Sequence, residues 1–171
     1  LGDVADGFGG GYTRERTLEI MKDSRVGAFG VIALVLGLVA KLIFAAKLFE
    51  HGASLWILMA FDLSRAVMVE LSVRFPYARA EGGTGSSFVS GALWWHRAIA
   101  WATAGFLAVT FLGPLAGAIA VASAILISAL LGLWWHHRLG GVTGDLLGAS
   151  SEITELVVML AGIVVFMTLF E

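Results

Sequence analysis

Long stretches of apolar residues dominate the chain, and short polar segments separate them. A helix that crosses the hydrocarbon core of a bilayer needs about 20 mostly apolar residues. Five stretches reach that length, and they predict membrane-spanning helices over residues 28–49, 54–75, 92–112, 115–136 and 148–170. These stretches are too long for barrel strands, and a helix satisfies its own backbone hydrogen bonds in lipid. The predicted fold class is therefore an all-α, polytopic membrane helix bundle with about five transmembrane helices.

One apolar stretch is too long to be a single span, because no charged residue occurs between Ala98 and His137. Gly113-Pro114 divides this stretch, since proline cannot continue helical hydrogen bonding and disfavours helix in the residue before it. The sequence therefore predicts a tight hairpin between the third and fourth spans.

Composition supports a single integral-membrane domain over residues 1–171. Of the residues, 58% are hydrophobic and only 14% are charged, whereas a soluble domain carries about a quarter charged residues. This balance excludes an ordinary water-soluble enzyme. The sequence has no cysteine, which excludes thiolate catalysis and cysteine-ligated metal centres, and its net charge of -2 gives no reason to expect a nucleic-acid partner.

Basic residues predict the orientation in the bilayer. Alternating spans place residues 1–25, 76–91 and 137–145 on one side of the membrane. Eight of the 11 Lys and Arg residues lie in or beside these segments: Arg14, Arg16, Lys22, Arg25, Arg74, Arg79, Arg97 and Arg138. The positive-inside rule therefore predicts that this side is cytoplasmic. We interpret Arg14 and Arg16 as an ordinary basic flank, and Lys41 as a side chain that snorkels.

Two polar clusters precede the first span. Asp3 and Asp6 are three residues apart, so on a helix they share a face and could hold one divalent cation. The alternative is a solvated, acidic helix end. In Lys22-Asp23-Ser24-Arg25, a metal-binding type of carboxylate lies between two phosphate-binding types of cation, although a basic flank of the membrane is an equal alternative.

Charged and glycine-rich positions further along the chain are also candidates. Arg65 lies roughly 15 Å of helix from the cytoplasmic end of its span, where buried ions are functional candidates; an internal pair with Asp62 is as plausible. Arg79 belongs to a glycine-rich connection that suits phosphate oxygens.

The start of the last span carries another cluster. Thr143 or Asp145 could cap the helix. Asp145 and Glu152 are nearly two turns apart and lie on one face, with the small residues Gly148 and Ala149 between them. Two carboxylates beside a notch favour a metal or substrate pocket over simple close packing.

These clusters together predict magnesium-assisted phosphoryl transfer at the cytoplasmic surface, because Mg²⁺ binds carboxylates and phosphates and neutralises charge during displacement. A small cation transporter, with Asp62, Arg65, Glu152 and Glu155 along its path, is an alternative. It predicts charges spread through the bilayer, whereas these crowd one face. A scaffold subunit is the third interpretation.

Four motifs occur in a recognisable order: Asp3-x-x-Asp6-Gly7, Ile20-Met21-Lys22-Asp23-Ser24-Arg25-x-Gly27, Pro76-Tyr77-Ala78-Arg79, and Gly141-x-Thr143-Gly144-Asp145-x-Leu147-Gly148-Ala149-x-x-Glu152. They resemble the cobalamin synthase family, also called adenosylcobinamide-GDP ribazoletransferase. The resemblance implies a multi-pass enzyme of the bacterial inner membrane that joins adenosylcobinamide-GDP to α-ribazole or its 5′-phosphate. The products are adenosylcobalamin, or its 5′-phosphate, and GMP, with Mg²⁺ required.

The resemblance also assigns expected roles to residues. The expected metal ligands are Asp3, Asp6 and Asp23, with Asp145 as an alternative to Asp23. The expected catalytic residues are Asp145, Lys22 and Arg25, and the expected substrate or phosphate ligands are Arg65, Arg79, Thr143 and Glu152. Family members carry a further acidic stretch upstream of Leu1, so we expect this chain to lack an amino-terminal part; an oligomer is compatible with the sequence. A CDP-alcohol phosphotransferase is the enzymatic alternative, but its aspartate pattern is absent in that form.

Overall fold

The computed structural model describes residues 1–83 and 85–170, with side chains through residue 168. The described residues form eight helices: α1 (Gly2–Gly10), α2 (Arg14–Ile20), α3 (Ala28–Glu50), α4 (Leu55–Arg74), α5 (Ser86–Ser90), α6 (Trp94–Leu112), α7 (Pro114–Leu139) and α8 (Gly144–Phe170). No β-strand occurs in this part of the chain; one isolated parallel bridge joins Tyr77 to Val142. The all-α fold class is confirmed.

The five apolar stretches correspond to the long helices α3, α4, α6, α7 and α8. Three of them, α3, α7 and α8, are long and apolar enough to cross a membrane. Helix α4 carries Asp62, Arg65 and Glu70, and α6 opens with Trp94-Trp95-His96-Arg97, so both are less apolar. The structure thus supports three candidate spans, and the count of five is not confirmed.

The predicted hairpin at Gly113-Pro114 is confirmed. Helix α6 ends at Leu112 and α7 begins at Pro114. Gly113 has a φ of +85°, a conformation that glycine adopts without strain. Proline at the first helical position loses no hydrogen bond, because the amide there has no partner within the helix.

Helix α8 lies at the centre of the bundle, where it packs against α4, α7 and α3. The contact with α4 is the most extensive, and Leu63, Val67 and Leu71 of α4 are fully buried. Helix α3 is different, because Gly30 and Leu48 are its buried residues and its remaining face exposes many apolar side chains. That face suits lipid contact.

The polar connections meet at one end of the bundle, which we call the site end: α3, α6 and α8 begin there, and α4 and α7 end there. Helix α1 packs antiparallel to the first half of α3, with Leu1 beside Gly37 and Asp6 beside Gly27 and Gly30. Helix α2 follows and contacts α1 and the end of α7. All four resemblance motifs therefore have residues at the site end.

Candidate functional site at one end of the bundle

Two connections at the site end pair with each other through their backbones. The amide of Ala78 donates to the carbonyl of Val142 at 2.8 Å, and the amide of Val142 donates to the carbonyl of Pro76 at 2.9 Å. A Cβ on Gly141 would lie 2.1 Å from the Pro76 oxygen, so this close approach requires glycine. The pairing joins the segment after α4 to the segment before α8.

This pairing places Arg79 against Asp145. The Arg79 Nη2 atom donates to Asp145 Oδ2 at 2.8 Å, and both side chains are largely buried. The Arg79 Nε atom is buried and has no hydrogen-bond partner among the described residues. The guanidinium therefore keeps an unused donor at the place where the sequence predicts phosphate binding.

Arg14 joins the end of helix α7 to the connection after α4 through hydrogen bonds. The sequence around Arg14 does not predict this role. Its Nε atom donates to the carbonyl of Leu139 at 2.8 Å, and its Nη2 atom donates to the carbonyl of Ala78 at 2.7 Å. The interpretation of Arg14 as an ordinary basic flank is therefore wrong. Its partners are backbone carbonyls far away in the chain, so no local sequence pattern reveals them.

Thr143 caps helix α8. It is fully buried, and its Oγ1 atom accepts a hydrogen bond from the amide of Leu146 at 3.3 Å. The capping prediction is confirmed for Thr143. Its burial gives the hydroxyl a structural role and leaves no exposed surface for the expected substrate contact.

Asp145 and Glu152 lie on one face of α8, as their spacing predicts, and the position between them is open. A Cβ on Gly148 would meet no atom within 4 Å. Glu152 accepts from Lys41 Nζ at 2.7 Å and its side chain remains 42% exposed. The open space that a notch at Gly148 requires is therefore present, with a charged residue at each end.

A deeper ion network connects α3, α4 and α8. Glu155, whose side chain is 2% exposed, pairs with Lys41 at 2.5 Å. Its other oxygen accepts from Ser64 and Ser151, each at 3.2 Å. Lys41 thus bridges two carboxylates of α8 and does not simply snorkel. No local sequence pattern indicates this role, because the partner Glu155 lies 114 residues away in the chain.

Arg65 belongs to the same network. Its Nη1 atom donates to Ser151 at 3.0 Å, and its Nη2 atom lies 3.9 Å from Glu155. The alternative of an internal pair with Asp62 is not observed among the described side chains, and the Asp62 Oδ2 atom is buried without a hydrogen-bond partner there. The Arg65 side chain is 63% exposed, so its guanidinium remains accessible.

The carboxylate of Asp6 binds backbone amides at the start of helix α3. Asp6 is 9% exposed, and its oxygens accept from the amides of Gly27 at 2.7 Å and Gly30 at 2.8 Å. These amides open helix α3, where a negative charge is favourable. A Cβ on Gly30 would come within 2.2 Å of Asp6, which explains the small residue there. Asp3 lies half-buried on the same helix as Asp6.

Asp23 and Arg25 form an exposed ion pair. Arg25 donates from its Nη2 atom to Asp23 Oδ2 at 2.7 Å and from its backbone amide to Oδ1 at 3.0 Å. These hydrogen bonds lower the pKa of Asp23 to about 2. Lys22 pairs with Glu81 at 3.1 Å, which links the end of α2 to the connection after α4.

The expected metal ligands do not form one cluster. Within the described residues, no group of three or more His, Asp or Glu side chains is placed to hold a metal ion. Asp6 faces the start of α3, and Asp23 faces Arg25. Asp6 and Asp23 do line a common cavity of about 620 Å³. The residues therefore do not fit a preformed three-carboxylate cage, and magnesium binding by this set stays a prediction.

A second cavity at the site end has a volume of about 330 Å³ and lies between α2 and the connection after α4. Its cationic lining residues are Arg14, Lys22 and Arg79. The structure thus brings Lys22, Arg79 and Asp145 together at the site end. Arg65 and Glu152 belong to the ion network that connects α3, α4 and α8. Arg25 lies beside the other cavity.

These features define an all-helical membrane protein with an ion-rich site at one end of its bundle. The chain belongs to the cobalamin-5-phosphate synthase family, whose family model matches residues 1–164. The resemblance drawn from the four motifs is confirmed.

Curated relatives agree with this family. A protein of Chlorobium phaeovibrioides is 45% identical over 168 residues, which cover 97% of this chain and 68% of the relative. A Pelodictyon phaeoclathratiforme protein is 48% identical over 94% of this chain and 66% of its own length. A Ralstonia pickettii protein is 38% identical over 93% and 62%, respectively. All three carry the name adenosylcobinamide-GDP ribazoletransferase.

The chain spans about two thirds of the length of the curated relatives it matches. No solved structure matches it significantly.

Proposed function

We propose that the protein acts as an adenosylcobinamide-GDP ribazoletransferase in late cobalamin biosynthesis. It joins adenosylcobinamide-GDP to α-ribazole or α-ribazole 5′-phosphate and releases GMP. The observation that carries the proposal is the meeting of the four family motifs at the site end. The family match and the relatives' names support it.

The proposed reaction is an in-line displacement at phosphorus. The ribose 3′-hydroxyl of ribazole attacks the cobinamide-side phosphorus of the pyrophosphate, a new P–O bond forms, and the bond from that phosphorus to the bridging oxygen breaks. GMP leaves with the bridging oxygen. Positioning and charge neutralisation are the main contributions that a protein makes to such a step.

Asp145 and Arg79 are suited to this step. We assign the hydroxyl proton to the carboxylate of Asp145, which is held in place by its bond to Arg79. Arg79 has an unpaired buried Nε donor, and Lys22 lines the same cavity. Both cations can stabilise negative charge on the transferring phosphoryl group.

Deeper in the bundle, we assign Arg65 and Glu152 to substrate contact, because Glu152 follows the open position at Gly148 on α8 and Arg65 donates to Ser151 of the same helix. Arg25 lies near the other cavity, where a phosphate could reach it through its exposed guanidinium. The expected role of Arg25 in charge stabilisation remains part of the proposal.

A requirement for Mg²⁺ is part of the proposal. Mg²⁺ often keeps several waters and uses one or two carboxylates together with substrate phosphates. That mode needs no three-carboxylate cage, and Asp3, Asp6 and Asp23 remain the candidate protein ligands.

We further propose that the long helices make five spans of the bacterial inner membrane, with the site end in the cytoplasm. Helices α4 and α6 have 20 and 19 residues, which is close to a bilayer thickness, and they pack within the bundle. The basic residues gathered at the site end support the orientation. Cation transport has less support, because Lys41 and Arg65 already pair with Glu152 and Glu155, two of the carboxylates that a transporter would use.

The direct test is GMP release by the protein reconstituted in lipid vesicles. We expect release to require adenosylcobinamide-GDP, α-ribazole or its phosphate, and Mg²⁺, and to stop when the ion is chelated. Ion flux through the vesicles without any GMP release would contradict the proposal and favour transport.

A further inference from the structure

A cluster of charges lies between α4 and α6, away from the notch on α8. Its centre is Glu70, whose side chain is 14% exposed and accepts a hydrogen bond from Trp101 Nε1 at 3.0 Å. Two arginines at the site end of these helices flank the carboxylate: Arg74 lies 3.9 Å away and Arg97 lies 3.7 Å away. Nothing in the proposed reaction uses this cluster.

The cluster carries a net positive charge that the protein does not neutralise. One carboxylate faces two guanidinium groups, and both distances are longer than a hydrogen bond. The Arg74 and Arg97 side chains are 52% and 44% exposed. Both arginines therefore have donors free to bind an external anion.

A crevice runs from this cluster into the apolar part of the bundle. It has a volume of about 210 Å³ and is lined by Glu70, Arg74 and Trp101 together with Ile125, Ser128 and Ala129 of α7. Ser128 lies 11 residues before the end of α7, which corresponds to roughly 16 Å of helix. The crevice thus combines the cationic side chain of Arg74 with the apolar side chains of Ile125 and Ala129.

The surroundings of the crevice are those of a membrane interface. Trp94 and Trp95 open helix α6 and are exposed. Tryptophan is enriched at the headgroup level of bilayers, because its ring is apolar and its N–H is polar. Arginine beside these rings is therefore placed at the depth of lipid phosphates.

We propose that this crevice binds an anionic phospholipid. The phosphate lies between Arg74 and Arg97, and an acyl chain occupies the crevice towards Ile125. Charge complementarity selects an anionic lipid, because basic pockets between membrane helices on the cytoplasmic side bind such headgroups. A free phosphate has the same charge but gains nothing from the apolar part of the crevice.

The test measures lipid binding to the detergent-purified protein by native mass spectrometry, with phosphatidylglycerol and phosphatidylcholine as probes. The unaltered protein should prefer phosphatidylglycerol. Arg74→Gln and Arg97→Gln should each reduce that preference about fivefold, the factor expected for one cation near an anionic lipid surface. Arg74→Lys with Arg97→Lys keeps the charge and should retain most of the preference.

Arg138→Gln is the matched control, because Arg138 is an exposed cation at the same end of the bundle, placed over the ring of Phe8. It should leave the preference unchanged. Equal losses in Arg138→Gln and Arg97→Gln would overturn the proposal, and so would an unchanged preference in the double glutamine variant. Displacement of phosphatidylglycerol by an equal concentration of inorganic phosphate would also overturn it, since the site would then bind free phosphate.

Discussion

The carboxylate of Asp6 has a structural role at the start of helix α3, in addition to its expected role as a metal ligand. Both of its oxygens accept backbone amides at the start of α3, and Gly27 and Gly30 leave room for it. Aspartate at such a position satisfies donors that the helix itself cannot satisfy. A mutation at Asp6 therefore changes both helix capping and any ligand binding, and a test must separate the two.

Asp6→Asn separates them because asparagine keeps one oxygen acceptor. We expect a loss of about 1–3 kcal/mol of stability, because the asparagine NH₂ group faces one of the two backbone amides and leaves that donor unsatisfied. If Asp6 also binds Mg²⁺, GMP release should fall much further than stability does, and the Mg²⁺ concentration needed for half-maximal rate should rise. Thermal unfolding and a Mg²⁺ titration of activity measure the two effects. If the Mg²⁺ concentration for half-maximal rate is unchanged in Asp6→Asn, then Asp6 has only its helix-capping role.

At the scale of single residues, sequence patterns predicted local roles well and remote partners poorly. The cap at Thr143 and the break at Gly113 depend on neighbours in the chain, and both are confirmed. The partners of Arg14 lie 64 and 125 residues away, so nothing near Arg14 indicates them. Spacing places a residue on a helix face but does not say which helix lies opposite.

Among the helices, α3 depends unusually on polar contacts. It buries few side chains, and its packing is against α1 and α8. The link to α8 includes the two ion pairs made by Lys41. Without it, the buried carboxylate of Glu155 and the partly exposed carboxylate of Glu152 would lose their nearest cation.

Lys41→Met should therefore destabilise the protein by about 3–5 kcal/mol, the usual cost of leaving a buried charge unpaired. Lys47→Met is the control, because Lys47 lies on the same helix near its other end. Thermal unfolding in detergent measures both variants. Equal melting temperatures for Lys41→Met and Lys47→Met would contradict a stabilising role for the ion network. The double variant Lys41→Met with Glu155→Gln should recover part of the lost stability.

The helices themselves were largely predictable, because apolar length and breaking residues define them. Four of the five predicted stretches agree with the observed helices within about two residues at most ends, an ordinary uncertainty for helix boundaries. The last helix begins earlier than predicted, at Gly144, since Thr143 caps it. Membrane crossing by α4 and α6 stays a prediction, because both helices carry charged residues that lower their hydropathy.

For the whole molecule, the orientation of the site end is the property that follows from the distribution of basic residues. The sequence contains no cysteine, so single cysteines can report on each side of the membrane without background from this chain. Glu81→Cys lies at the site end, and His51→Cys lies in the connection at the opposite end.

In cells whose outer membrane is permeabilised and whose inner membrane is intact, we expect an impermeant thiol reagent to label His51→Cys. Glu81→Cys should stay unlabelled until the inner membrane is also permeabilised. The reverse labelling would place the site end outside the cytoplasm. Labelling of both would contradict a membrane-spanning arrangement with these two ends on opposite sides.

The proposed transfer requires both Asp145 and Arg79. The most direct measurement compares GMP release by Asp145→Asn and Arg79→Gln with release by Arg138→Gln, which removes an exposed cation at the same end of the bundle. Loss of an acid–base group or a charge stabiliser should lower the rate about 100-fold or more, while Arg138→Gln stays near the unaltered rate and all three proteins remain folded by thermal unfolding. Folded Asp145→Asn and Arg79→Gln proteins that turn over as fast as Arg138→Gln would show that the reaction takes place elsewhere.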